Sequence, residues 1–461
     1  MTVSKILGEI VANRKRHIDA IRQRVAHVSF DTLRYSERSL YDSLARPGTA
    51  FIMECKSASP SLGQIRADYK PGEIASIYSR YAAGISVLCE PDYFGGDYDH
   101  LATVAATTHL PVLCKDFIID EVQIYAARYF GADAILLMLS VLDDDQYTHL
   151  ASVAASLHMD VLTEVIDEEE AARATKLGAR IFGVNHRNLH DLSIDLDRSA
   201  RLAALAPDGA VVVAESGIRD AATVRRLGGH SDAFLVGSQL TAQPDIDQAA
   251  RELVYGPNKV CGLRSASAAQ AAKACGAVYG GLIFEDASPR NVSRETAASI
   301  IAAEPGLNYV AVSRRTSGYN DIVQHGITAV QVHAPYQGSI EAELALIEQV
   351  RSEVDVDVWR AVSMTHPDGP AVAEALADSV DMLVLDANDG GSGERFDWSR
   401  VPVVVKQKAL LAGGLTPENL EEALRVGCLG LDLNSGFEDP NGDKDAGALR
   451  CGFDTIGNYH D

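Results

Sequence analysis

The sequence predicts an α/β fold of two tandem (β/α)8 TIM barrels, the first with an extra N-terminal helix. Short apolar runs alternate with helix-length amphipathic segments along the whole chain, the pattern of a parallel sheet covered by helices. The runs form two sets of eight, and the second set restarts at Lys259. Each set also ends in the same arrangement. Ala214-Glu215-Ser216-Gly217-Ile218 leads to Phe234–Ser238, and Leu411-Ala412-Gly413-Gly414-Leu415 leads to Leu431–Ser435. Gly217 precedes Gly237 by 20 residues, and Gly414 precedes Asn434 by 20. The phosphate site of such a barrel has this form: loops after strands seven and eight, with backbone N–H groups and a helix N-terminus facing the anion. Small residues let the backbone approach a phosphate.

Residues 4–25 carry Ile6, Leu7, Ile10, Val11, Ile18, Ile21 and Val25 at helical spacing, which predicts the extra helix. The first eight strands are predicted at Phe51–Lys56, Ile85–Glu90, Val112–Asp116, Ala134–Ser140, Val161–Val165, Ile181–Asn185, Val211–Ser216 and Ala233–Ser238. Tyr255-Gly256-Pro257-Asn258 is turn-like and places the boundary, giving domains at 1–254 and 255–461. The second eight are predicted at Lys259–Leu263, Leu282–Phe284, Tyr309–Ser313, Ala329–His333, Val356–Val362, Met382–Asp386, Ala409–Gly413 and Leu429–Ser435. Residues 401–405 are also strand-like, so the seventh strand of this half has two candidates.

The chain of 461 residues accommodates two barrels of roughly 200–250 residues each. A net charge of −23 argues against nucleic-acid and anionic-membrane partners. A few local donors still suffice for a phosphorylated small molecule. The 7 cysteines include no C-x-x-C pair, which points to reduced thiols and the cytoplasm. No secretory h-region and no membrane-length apolar run is read, and a covalent pair of domains suggests a monomer.

In the first half, Glu54, Lys56, Lys115, Glu164 and Glu215 lie at or near strand C-terminal ends, with Asn185 and Arg187 following the sixth strand. Those ends converge on the catalytic face of a barrel. Any one of these charges could be a structural ion pair, but a full ring of them on apolar strands points to chemistry. The motifs Glu54-Cys55-Lys56-Ser57-Ala58-Ser59-Pro60-Ser61, Leu113–Phe117, Leu162-Thr163-Glu164-Val165, Asn185–Leu189 and Ala214–Ile218 resemble indole-3-glycerol phosphate synthase over residues 1 to 254. That family closes an indole ring on 1-(2-carboxyphenylamino)-1-deoxyribulose 5-phosphate, losing carbon dioxide and water. The resemblance implies Lys115 as general acid, Glu164 as general base, and Lys56 on the substrate carboxylate. It further implies that Glu54 orients the lysines and that Asn185, Arg187 and Glu215 position the intermediate. Ser59, Ser216, Gly217, Gly237 and Ser238 would hold the phosphate. A lysine beside a second cation in an apolar mouth is expected to have a lowered pKa. His186 stands where the family often has Asn, and is read as a tolerated neighbour.

In the second half, Cys261 ends the opening strand and Asp386 ends the sixth, followed by Gly390-Gly391-Ser392-Gly393. A strand cysteine is ordinarily a small buried apolar residue, and an aspartate can be a helix cap. Together, beside a second phosphate signature, they suggest an acid and a base facing one ligand. Lys259–Leu263, Gly280–Phe284, Ser288-Pro289-Arg290, Val330–His333, Arg395–Trp398 and Gly430–Gly436 resemble phosphoribosylanthranilate isomerase over residues 256 to 453. That family converts N-(5-phosphoribosyl)anthranilate to the ketose above by an Amadori rearrangement. The resemblance implies Asp386 as the acid that opens the furanose and Cys261 as the base that removes the C2 proton. A base needs the thiolate, so a lowered pKa is expected for Cys261. Arg290 would pair with the anthranilate carboxylate, while Gly391, Ser392, Gly414, Asn434 and Ser435 would shape the phosphate site. Arg264, Ser313 and a lengthened Asn441–Asp445 segment depart from the family pattern, and His333 reads equally as ligand contact or structure.

The two halves then catalyse consecutive steps, the second supplying the substrate of the first. Neither reaction calls for a metal or cofactor. Three alternatives stay open at this point: a histidine-pathway sugar-phosphate isomerase, Schiff-base chemistry at Lys115, and a barrel kept only for binding. With separate sites, Cys261→Ala should abolish isomerisation and spare indole formation, and Lys115→Ala should do the reverse. Assays of each step on each variant check this, and cross-inactivation of a folded chain would contradict the partition.

Overall fold

The computed structural model describes residues 5–188, 192–388 and 393–461. Contacts divide the chain into two compact units, residues 1–250 with 460–461, and residues 251–459. The division falls within the helix Ile246–Tyr255.

In the first unit eight parallel strands close in chain order: β1 (Ala50–Cys55), β2 (Gly84–Leu88), β3 (Val112–Lys115), β4 (Ala134–Met138), β5 (Asp160–Val165), β6 (Ile181–Asn185), β7 (Val211–Glu215) and β8 (Ala233–Val236). The barrel closes where β8 pairs with β1, Ala50 opposite Ala233. Side chains alternate across a strand, so every second residue faces the lumen. Ala50, Ile52, Leu113, Leu162, Val213 and Leu235 belong to one buried cluster. The next inward position is ionisable on four of these strands: Glu54 after Ile52, Lys115 after Leu113, Glu164 after Leu162, Glu215 after Val213.

The helix Lys5–Arg24 forms where the apolar spacing predicts it, and its Leu7 joins that same cluster. Its buried Arg14 binds Asp116, the residue after Lys115, through Nε to Oδ1 at 2.9 Å and Nη2 to Oδ2 at 2.6 Å. The N-terminal helix is thereby tied to the C-terminal end of β3.

The second unit repeats the barrel with β9 (Lys259–Val260), β10 (Tyr279–Ile283), β11 (Asn308–Ser313), β12 (Ile327–Val332), β13 (Asp357–Ser363), β14 (Met382–Asp386), β15 (Ala409–Leu411) and β16 (Gly430–Leu433). Val310, Val312, Ala329, Trp359, Val384 and Leu410 belong to its inner cluster with Cys261. Tyr279 meets Trp359 edge-on at 4.8 Å between ring centres. The outward residues Val260, Leu282, Ala311, Val330, Leu383 and Leu431 pack in a second cluster with the helices.

Two local differences from expectation have clear causes. The opening strand stops at Val260 because Gly262 takes a φ of +75°, the left-handed region. Strand β10 begins earlier than its apolar run, taking in Gly280 and Gly281. A Cβ on Gly281 would sit 2.6 Å from the Cys261 sulfur, so the neighbouring strand leaves that space for the thiol. Of the two candidates for the seventh strand, Ala409–Leu411 forms it. Val403–Lys408 is a 3-10 helix instead, with Val403 and Val404 78% and 76% exposed, while Val401 and Val405 are buried.

Arg14→Met would leave Asp116 buried without its cation, and the cost expected is ~3–5 kcal/mol of stability. Urea unfolding of the full chain measures it. A loss under about 1 kcal/mol would mean that the other donors to Asp116 satisfy it without the arginine.

Candidate functional sites

At the mouth of the first barrel Glu54 is the hub. Its Oε1 lies 3.0 Å from Lys56 Nζ and its Oε2 lies 3.1 Å from Lys115 Nζ. Ser86 Oγ donates to the same Oε2 at 3.1 Å. Lys115 also reaches Glu215 Oε2 at 3.3 Å, and Lys56 Nζ lies 3.5 Å from Ser238 Oγ. Across the mouth, Asn185 Nδ2 donates to Glu164 Oε1 at 3.3 Å, and Ser216 Oγ donates to Asn185 Oδ1 at 2.9 Å. Gly237 is required by the hub, since its Cβ would stand 2.7 Å from Glu54 Oε1. Ser216 and Gly217 both have left-handed backbones, at φ 68° and 79°. That is a strained choice for serine at a phosphate-type loop.

The charges sort by partner. Burial opposes the ionisation of Glu54, but Lys115 and Lys56 outweigh it and hold the carboxyl at about 2. Burial and the neighbouring Glu215 push Glu164 up to about 8. Burial also raises Glu215, whose Oε1 has no hydrogen-bond partner among the described residues. Lys115 departs from expectation. Burial favours its neutral form, yet Glu54, Glu215 and Glu164 surround it and raise its pKa. A sequence shows the second lysine but not the three carboxylates that face the first. Lys115 therefore holds its proton throughout the neutral range.

The loop residues are more scattered. Arg187 donates its backbone N–H to Asn185 Oδ1 at 3.0 Å, while its guanidinium lies on the Leu192 carbonyl at 3.4 Å. Ser59 belongs to a two-stranded antiparallel ribbon and accepts from the Leu62 N–H at 3.2 Å. His186 is buried, with Nδ1 2.9 Å from the Ser216 carbonyl and Nε2 2.8 Å from Ser199 Oγ. It braces the loop and does not face the lysines.

In the second barrel Cys261, Asp386, Gly414, Asn434 and Ser435 line one cavity of 510 Å³ together with Arg290. Gly391 and Ser392 lie outside the described residues. Asp386 accepts from the Ala387 N–H at 2.7 Å. Burial, reinforced by Asp432, pushes its pKa up to about 6 despite that bond. The thiol departs from expectation. Burial raises the Cys261 pKa, and the pull of Lys259 and Lys444 does not reverse it. Lys259 is itself buried, with Nζ 2.8 Å from Asp432 Oδ2 and 2.7 Å from Gln331 Oε1. Asp432 claims much of the cation that the thiolate would need.

His333 lies 3.7 Å from Asp386 Oδ2 through Nε2, and its Nδ1 is 3.2 Å from Gln331 Nε2. Burial and the cations Lys259, Arg360 and Arg314 lower it to about 3, so it is neutral. Arg290 is engaged by a protein carboxylate: Nε to Glu438 Oε1 at 2.7 Å and Nη2 to Oε2 at 2.9 Å.

Both halves have counterparts among known proteins. Residues 7–253 match the family described as indole-3-glycerol phosphate synthase, and residues 258–454 match N-(5'phosphoribosyl)anthranilate (PRA) isomerase. The chain belongs to both families. "Tryptophan biosynthesis protein TrpCF" of Corynebacterium glutamicum is 69% identical, over 99% of this chain and 98% of its own. The protein of the same name from Salmonella typhi is 45% identical, over 98% and 99%. The synthase–isomerase pairing makes this a bifunctional enzyme of tryptophan biosynthesis, a decarboxylating lyase and an isomerase acting on phosphorylated small molecules.

Sequence reasoning did not single out Ser86, Lys259, Gln331, Asp432, Glu438 or Lys444. A signal existed for three of them. Lys259 is two residues before Cys261, Gln331 two before His333, and Asp432 two before Asn434, so each shares an inward face with a residue already marked. Glu438 and Lys444 lie on a loop, where no period exposes them.

Proposed function

We propose that residues 255–461 isomerise N-(5-phosphoribosyl)anthranilate with Asp386 as acid and Cys261 as base, and that residues 1–254 close the resulting ketose to indole-3-glycerol phosphate. Asp386 with a pKa near 6 retains a protonated fraction for the furanose oxygen. Cys261, on the opposite side of the ring of strands, takes the C2 proton as thiolate. Arg290 meets the anthranilate carboxylate, and Gly391, Ser392, Gly414, Asn434 and Ser435 hold the phosphate. In the first barrel Lys115 gives its proton to the ketone oxygen that leaves as water. The carboxylates that keep Lys115 charged favour this acid role over a Schiff base, which needs the free amine. Lys56 binds the substrate carboxylate, Glu54 fixes both lysines, and Glu164 removes the ring proton. Asn185, Arg187 and Glu215 position the intermediate, and Ser59, Ser216, Gly217, Gly237 and Ser238 bind its phosphate.

The protein is further proposed to act as a cytoplasmic monomer without nucleic-acid or membrane partners. Its charge of −23 supports this, and among the described residues no helix is long and apolar enough to cross a membrane. The observation that carries the functional reading is the convergence of Cys261 and Asp386 on one cavity, matched by the lysine–carboxylate ring of the other barrel.

A coupled assay tests the whole. Purified protein given phosphoribosylanthranilate should consume it and release indole-3-glycerol phosphate with no added enzyme. Accumulation of the ketose would leave the first barrel unassigned. The pH dependence tests the acid–base pair. Activity needs Asp386 protonated and Cys261 ionised at once. Asp386 loses its proton above about 6, while thiolate grows with pH until the raised Cys261 pKa is passed. The two trends cancel between those values. Isomerase kcat/KM should therefore rise up to about pH 6, stay level through neutrality, and fall only above the ordinary thiol range. A falling limb near neutrality would overturn the pairing.

A further inference from the structure

Arg264 and the Asn441–Asp445 segment meet in space. Arg264 Nη2 lies 2.6 Å from Asp443 Oδ1 and 3.4 Å from the Asn441 carbonyl. Its Nη1 lies 3.3 Å from the Pro289 carbonyl, next to Arg290. The intervening residues form a turn closed by an antiparallel bridge between Glu438 and Lys444, with the Gly442 N–H on the Asp439 carbonyl at 2.9 Å. The two bridge residues point to opposite ends of the site. Glu438 takes the Nε–Nη2 edge of Arg290. Lys444, 1% exposed, spans from Glu438 Oε1 at 2.6 Å to Asn434 Oδ1 at 2.9 Å and the Asn434 carbonyl at 3.3 Å. Gly262, directly after Cys261, fills the gap: a Cβ there would stand 2.7 Å from Arg290 Cδ and 2.9 Å from Asn434 Oδ1.

We propose that the Glu438–Lys444 loop, latched by Arg264, is the positioning element that sets the separation between the ring-carboxylate subsite at Arg290 and the phosphate subsite at Asn434. The inference rests on the reading of Arg290 and Asn434 given above. Two features favour it over a merely structural salt bridge. First, Arg290, which lines the cavity, and Lys444 behind it share the one carboxylate of Glu438, which leaves the trio a net positive charge that an anionic ligand completes. Second, with Nε and Nη2 committed to Glu438, the arginine presents Nη1 to the ligand from a fixed direction. A guanidinium held at one edge selects a carboxylate at one distance from the phosphate.

The test compares Glu438→Gln and Lys444→Met in the full chain. The substrate is phosphoribosylanthranilate, and ribose 5-phosphate, which lacks the ring carboxylate, is a competitive inhibitor. Glu438→Gln should raise KM for the substrate about tenfold, with kcat changed less and inhibition by ribose 5-phosphate unchanged. Lys444→Met should weaken both ligands, because it releases Asn434 as well. Glu438→Asp, which keeps the charge on a shorter arm, should recover part of the loss. Arg264→Thr should repeat the Glu438→Gln pattern in smaller measure. Indole formation from added ketose should be unchanged in every variant. A lower KM in Glu438→Gln would show that Glu438 only masks the arginine, and equal weakening of both ligands in that same variant would show general damage; either overturns the proposal. Arg290→Met separates the two levels of the argument. If it leaves the substrate KM unchanged, the reading of Arg290 fails. If it raises KM while Glu438→Gln does not, the loop proposal alone fails.

Discussion

Inward alternation in a closed parallel barrel is the constraint on which everything else here depends. Eight strands paired in a ring leave no sheet edge, and their period of two commits every second side chain to the lumen. Apolar residues fill the lumen in layers. Where a strand extends one inward step beyond the last apolar layer, its side chain must be polar enough to face the mouth yet too buried to stand alone. Glu54, Lys115, Glu164 and Glu215 occupy that step in one barrel, and Gln331, Asp386 and Asp432 in the other. Each finds a partner there: Glu54 and Glu215 share Lys115 and Glu164 accepts from Asn185, while Gln331 and Asp432 share Lys259 and Asp386 accepts from the Ala387 N–H.

The two mouths solve the burial of charge differently. The first sets two lysines against three carboxylates, and the surplus anion appears as carboxyl groups with raised pKa values. The second buries one lysine between an aspartate, an amide and a thiol, and sets two further cations from separate loops, Arg290 and Lys444, on Glu438. Glu215 Oε1 and Asp432 Oδ1 are both buried with no hydrogen-bond partner among the described residues. Unmatched polar atoms in a barrel mouth are the usual sign of a position that a ligand or water satisfies.

Much of this was legible in the sequence because it follows from local pattern. The apolar runs, the small residues at the two phosphate-type loops and the ionisable strand ends are all contiguous in the chain. What could not be read depends on atoms far apart in sequence. Lys115 looks like a depressed lysine when Lys56 is its known neighbour, and becomes an elevated one once Glu54, Glu164 and Glu215 surround it. Cys261 looks like an activated thiol when only the base role is considered, and becomes an elevated one once burial and Asp432, from the far end of the same domain, act on it. Residues 401–405 mislead for the opposite reason. They have a strand's composition, but Val401 and Val405 are spaced for the one-sided burial of a helical turn, and the two valines between them face solvent.

The space beside the thiol has a consequence for how such a site can change. Gly281 is bare because Cys261 and Lys259 fill the volume a side chain would need, so strand β9 and the residue after it dictate the composition of the neighbouring strand. A Cβ at 281 would press on the Cys261 sulfur, the Cys261 Cα and Lys259 Cε at once, and a smaller residue at 261 removes only the first of these. Position 281 is therefore confined to glycine by its neighbour's backbone as well as by the thiol.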